Sequence, residues 1–137
     1  MAKVLCGLGI RHAMVVHGED GFDEISISAP TKVAEIKDGG IFEYTITPEQ
    51  FGLPLAEKEE VVGGSPEENA LITQGILAGT IRDAKRNIVL LNAGCALYVV
   101  GQAGSIGDGV ALAAEMIDSG AALAKLEELK QFTNALA

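Results

Sequence analysis

Apolar positions along this chain change their period near its middle. Before residue 47 they come as short runs and alternations; after residue 65 they recur every three or four residues. Ala2 to Ile10 spaces Val4, Leu5 and Leu8 like one face of a helix. AMVVH, Ala13 to His17, is a short continuous apolar run, as in a strand covered on both faces. EISIS, Glu24 to Ser28, alternates and sets Ile25 and Ile27 opposite Ser26 and Ser28. Pro30 breaks the chain. KVAEIK and IFEYTIT then alternate on either side of Asp38-Gly39-Gly40, which predicts a hairpin. Residues 48–64 read as an irregular connection with one short turn of helix.

The second half predicts helices. Ser65 is placed as an N-cap, Pro66 suits the first helical position, and Glu68 completes a capping box. Gly79 is the expected stop. Asp83 to Val100 is apolar on nearly every face, the pattern of a helix buried in a core. Asn92 inside it therefore requires a hydrogen-bond partner. Ser105 and Asp108 repeat the capping logic for a helix ending at Gly120. A last helix, Ala121 to Ala135, carries Leu123, Leu126, Leu129 and Phe132 on one side. The expected fold class is thus α/β, with a short β-sheet in the first half and helices packed on it from the second.

Composition narrows the function. At 137 residues a single domain is expected, spanning 1–137. Apolar residues are 48% of the chain and mean hydropathy is +0.29, which excludes general disorder. Aromatics are 4% and Trp is absent, so the core must be aliphatic. A net charge of −9 argues against a nucleic-acid partner, which needs clustered Lys and Arg. The apolar run from Ile88 to Val100 falls short of the roughly 20 residues that a membrane span needs. Cys6 and Cys95 lie far apart, with no zinc-ligand spacing, and read as two small buried hydrophobes. No secretory leader pattern is seen and no disulfide framework is implied, so a reducing, cytoplasmic setting is expected.

The candidate chemistry lies in HGEDGFDEISIS, His17 to Ser28. It holds four carboxylates, Glu19, Asp20, Asp23 and Glu24, broken by Gly18 and Gly21. Neighbouring residues on a regular strand point to opposite faces, so Asp23 and Glu24 can meet one cation only where the backbone turns. Gly21 permits such a turn. Hard oxygen ligands suit Mg²⁺ or Ca²⁺, and the twelve-residue calcium pattern is absent. The residues alone leave a solvated acidic turn and a metal loop both open. His17, at the end of an apolar run, reads as structural.

Three stretches resemble the anthranilate phosphoribosyltransferase family: VVHGEDGFDEIS from Val15, GGSPEENA from Gly63, and the forty residues from Leu90 to Leu129. The resemblance covers nearly the whole chain and corresponds to the C-terminal portion of the family's large α/β domain. It implies a partial phosphoribosyltransferase and nucleoside phosphorylase-like fold, with Asp23 and Glu24 as Mg²⁺ ligands. Glu19 and Asp20 inherit no role from it and remain surface candidates. The implied reaction transfers phosphoribosyl from phosphoribosyl pyrophosphate to the amine of anthranilate. The family's G-T-G-G-D phosphate loop, its K-H-G-N stretch and its anthranilate-contacting arginine are not in this sequence, and its N-terminal helical domain is expected outside it. The expectation is a segment of that enzyme, inactive alone, which self-associates or pairs with an N-terminal half. The alternative is a non-catalytic α/β module with a structural or partner-binding role.

Overall fold

The computed structural model describes residues 1–135. A short helix, α1 (Ala2–Gly7), precedes three strands, β1 (His12–Gly18), β2 (Thr31–Lys37) and β3 (Gly40–Ile46). They form an antiparallel sheet in the order β1-β2-β3. The expected hairpin is present: Lys37 pairs with Gly40, and Asp38 and Gly39 both have positive φ, 51° and 77°. Two such residues suit the two-residue turns whose twist matches that of antiparallel strands.

The connection from β3 holds two short 3₁₀ turns, Pro48–Phe51 and Lys58–Val61, one more than expected. Helices α2 (Pro66–Leu77), α3 (Ala84–Val99), α4 (Ile106–Asp118) and α5 (Ala121–Asn134) follow. The capping box is made: the Ser65 hydroxyl accepts from Glu68 N–H at 3.2 Å, and Glu68 Oε2 accepts from Ser65 N–H at 2.7 Å. Gly79, at φ 73°, lies just beyond the end of α2. Ser105 caps α4 in the same way, accepting from Asp108 N–H at 3.1 Å.

Strand register sets Met14, Val16, Val33, Glu35, Tyr44 and Ile46 on one face of the sheet. This face joins Ile25, Ile27, Leu53, Ile76, Leu90, Leu91, Cys95, Val110, Ala113 and Ile117 in the core. Helix α1 lies against β2 and β3.

Four elements depart from expectation. EISIS is not a strand: residues 21–30 are bends and irregular backbone, and Ile25, Ser26 and Ile27 are all buried in succession. Ser26 tolerates burial because its hydroxyl is hydrogen-bonded. β1 is not covered on both faces; it is an edge strand whose apolar residues are half-exposed. Nor is α3 buried all round. Leu90, Leu91, Gly94 and Cys95 face inward, while Val89, Ala96 and Val100 are exposed. On α5, Leu129 and Phe132 are likewise exposed, so its apolar side reaches the core only near its start.

Candidate metal loop

The acidic stretch is the connection between two paired strands. Gly18 lies opposite Thr31, and residues 19–30 leave the sheet and return to it. Backbone hydrogen bonds close this excursion at its base: Gly18 N–H donates to Phe22 C=O at 2.9 Å, and Glu19 N–H to Pro30 C=O at 2.9 Å. Gly21 has φ 92°, the left-handed conformation that a glycine adopts without strain. Gly18 serves a different purpose from Gly21. A Cβ there would lie 2.6 Å from Asp20 Oδ1, so glycine is needed to let that carboxylate in.

Asp20 is half-buried and is the hub of the loop. Its Oδ2 accepts from Ser26 Oγ at 2.6 Å and from Ser28 Oγ at 2.5 Å, and its Oδ1 from Phe22 N–H at 3.3 Å. Burial acts to raise its pKa. The hydroxyls of Ser26 and Ser28 and the Phe22 N–H outweigh burial and hold the carboxyl below its ordinary value. Ser26 N–H donates in turn to Thr31 Oγ1 at 2.9 Å, and Ser26 Oγ accepts from Ser28 N–H at 2.9 Å. Lys58 Nζ donates to Asp20 C=O at 2.9 Å and sits 4.6 Å from the Phe22 ring centroid. Glu19 is an exposed partner of Lys32 at 3.5 Å, a pair of little energetic weight.

Asp23 and Glu24 are placed otherwise. Both are exposed, and among the described residues neither carboxylate has a hydrogen-bond or ion-pair partner. Just beyond them, Ile25 is gripped by α3. Asn92 Oδ1 accepts from Ile25 N–H at 3.0 Å, and Asn92 Nδ2 donates to Ile25 C=O at 2.8 Å. The partner that a mid-helix asparagine requires is therefore the backbone of the acidic loop. The sequence carries the need, a polar side chain in an apolar helix, but no signal for the identity of that partner. Asp20 was missed as well; its only trace is the pair of serines that follow it.

Among the described residues no three His, Cys, Asp or Glu side chains are gathered as a cation cage. The donor set at Asp23 and Glu24 still matches Mg²⁺, which takes one or two carboxylates and completes its shell with water and substrate phosphate. Of the two cysteines expected to be buried only Cys95 is, and burial pushes its thiol up to about 12; Cys6, on the short α1, is half-buried. His17 is exposed, while His12 Nε2 lies 2.9 Å from Glu35 Oε1.

The chain belongs to the glycosyl transferase family as its a/b domain: the family model of that description matches residues 1–123. Among sequence relatives, the anthranilate phosphoribosyltransferase of Methanobrevibacter smithii is 50% identical over 98% of this chain and 40% of its own length. That of Symbiobacterium thermophilum is 48% identical over 99% of this chain, again 40% of its own length. The crystal structure of anthranilate phosphoribosyltransferase from Thermus thermophilus superposes with a TM-score of 0.84 at 39% identity. It covers 93% of this chain and 37% of that one. The Saccharomyces cerevisiae enzyme in complex with PRPP and Mg gives 0.75 at 30% identity, over 85% of this chain and 33% of that one. The chain thus spans about 40% of the length of the curated relatives it matches.

Proposed function

We propose that this chain is the magnesium-binding portion of an anthranilate phosphoribosyltransferase of cytoplasmic tryptophan biosynthesis. It acts as one domain and is inactive without the remainder of such an enzyme. The observation that carries this reading is 50% identity across 98% of the chain to an enzyme of that name. The yeast relative, solved with PRPP and Mg, supports the metal. Asp23 and Glu24 are the residues that would hold it. Both carboxylates are exposed and uncommitted, while Asp20 already accepts from two hydroxyls and an N–H.

In the reaction the anthranilate nitrogen forms a bond to C1 of the ribose as the bond from C1 to the pyrophosphate oxygen breaks, and the ammonium so formed gives its proton up to water or the released pyrophosphate. Charge builds on the departing pyrophosphate, and Mg²⁺, when bound by Asp23 and Glu24, would supply electrostatic stabilisation of that charge. Asp23 and Glu24 then serve as ligands, with no proton to move. The loop's two anchors keep them in place, and the ribose-phosphate cradle and amine pocket come from the missing portion. No helix among the described residues is long and apolar enough to cross a membrane.

The test is complementation. The chain is mixed with a separately produced N-terminal portion of a relative, and anthranilate consumption is followed with PRPP and Mg²⁺. Turnover is expected only in the mixture, and it should be lost in Asp23→Asn with Glu24→Gln. Absence of turnover in every combination, with the chain folded, would leave the non-catalytic α/β module as the better reading.

A further inference from the structure

We infer that Asn92 is a positioning residue for the Asp23–Glu24 pair, acting with the Asp20 knot to hold the loop ready before any cation arrives. The role rests on the magnesium reading of those two carboxylates. Four residues, 21–24, separate two anchors. At one end Asp20 is fixed by Ser26 and Ser28, at 2.6 and 2.5 Å. At the other, the Asn92 carboxamide takes both backbone polar groups of Ile25, the residue next to Glu24. That grip reaches across 67 residues of sequence, from the middle of α3.

Asn92 is used almost to capacity. Its Nδ2 also donates to Ile88 C=O at 3.0 Å, so both amide hydrogens and one oxygen are engaged. It sits in a helix whose neighbouring positions are Leu90, Leu91, Gly94 and Cys95, all buried. A bidentate amide at such a place fixes the orientation of the peptide units on either side of Ile25, and so of the backbone leaving Glu24. Two adjacent carboxylates repel each other, and an unrestrained loop would separate them. Ordering them beforehand removes an entropic cost that the cation would otherwise meet. Satisfying a buried backbone would by itself account for the hydrogen bonds. The positioning role adds a consequence for cation affinity.

The experiment uses the chain as it stands, ¹⁵N-labelled, with Mn²⁺ as the probe. Paramagnetic broadening of amides is read during titration, together with hydrogen exchange at the Ile25 amide. Wild type should broaden first at residues 21–25, and Asp23→Asn with Glu24→Gln should abolish this. Asn92→Ala should keep a dispersed spectrum, speed Ile25 exchange at least tenfold and raise the Mn²⁺ concentration for half-broadening about tenfold. Ile36→Val, a core truncation in β2 remote from the loop, should change neither. If Asn92→Ala does not fold, Ser28→Ala at the opposite anchor decides, with severalfold weaker Mn²⁺ binding expected. Wild-type Mn²⁺ affinity in Asn92→Ala, or in Ser28→Ala where that variant decides, overturns the positioning role and leaves the metal reading standing. No broadening in wild type, or broadening untouched by the double substitution, overturns the metal reading and the positioning role together.

Discussion

Glu35 shows how much one side chain can organise. It lies on the buried face of β2, where His12 Nε2 approaches it at 2.9 Å and the Tyr44 and Tyr98 hydroxyls donate at 2.8 Å each. Lys37 Nζ donates to the Tyr98 oxygen at 3.0 Å. Burial alone would raise the carboxyl's pKa. The donors from Tyr44, Tyr98 and His12, with the charge of His12, outweigh it and hold Glu35 below its ordinary 4.5. The Tyr44 phenol moves the other way: burial and the adjacent Glu35 carboxylate push it above the usual tyrosine range. A carboxylate with a depressed folded-state pKa stabilises the fold above its unfolded pKa, and that contribution is lost as pH falls through the folded value. Glu35→Gln should therefore cost about 2 kcal/mol at pH 7, the scale of buried hydrogen bonds to a charged group. The gap from wild type should narrow below pH 4.5. Urea denaturation of both proteins at pH 7 and in that acid range checks this; an unchanged gap would rule it out. In the sequence Glu35 is one polar position in an alternating strand. Its partners come from β1, β3 and α3, so the network was not legible there.

At the scale of elements, the junction of α3 and α4 depends on two glycines. A Cβ on Gly109 would lie 2.2 Å from Gly94 C=O, and one on Gly94 would lie 2.6 Å from Val110 N. The obstructing atoms are backbone and cannot swing aside. Gly109→Ala should therefore force the helices apart and destabilise the chain by about 3 kcal/mol, the upper range for overpacking. Chemical denaturation measures that loss, and a loss below about 1 kcal/mol, the low end of that range, would show that the crossing can adjust. Helix caps and the Asp-Gly turn were legible because their signals are local. Ser65 and Glu68 meet within one turn, and Asp38-Gly39 needs only its own backbone. EISIS misled because alternation reports only which positions are apolar. Here Ser26 is buried too, satisfied by Asp20 from six residues earlier.

At the scale of the molecule, one side is apolar and uncovered. A groove of about 390 Å³ between α3, α4 and α5 is lined by Val89, Ala93, Ala96, Val100 and Met116, among others. A second, of about 310 Å³, runs between β1 and α3 past Met14, Val16 and Val99, and Ala96 borders both. β1 lies at the sheet edge, with neither Lys, Glu nor Pro from Ala13 to Val16 to discourage pairing. The chain matches only 40% of the length of its relative, and we propose that this surface receives the remainder. Without it, the chain should self-associate. Light scattering at increasing concentration should show growing mass; a clean monomer at high concentration counts against exposed pairing surface. Addition of the N-terminal portion should return the chain to a defined heteromer.

The sequence by itself determined what short-range physics can decide: the hairpin, the helix starts, the α/β class and the acidic loop with its turning glycine. Through its motifs it also carried the resemblance to the phosphoribosyltransferases. The motifs set Asp23 and Glu24 apart by resemblance; only the tertiary structure gave each of the four carboxylates its surroundings. Asp20 is committed to Ser26 and Ser28, Glu19 pairs with Lys32, and Asp23 and Glu24 are left exposed beside an Asn92 clamp. The reason is physical. A carboxylate's role depends on which donors the fold brings within about 3 Å of it. The Asn92 donor and acceptor lie 67 residues from the backbone they grip. Hydrophobic periodicity says which face of α3 points inward, but not which loop it meets.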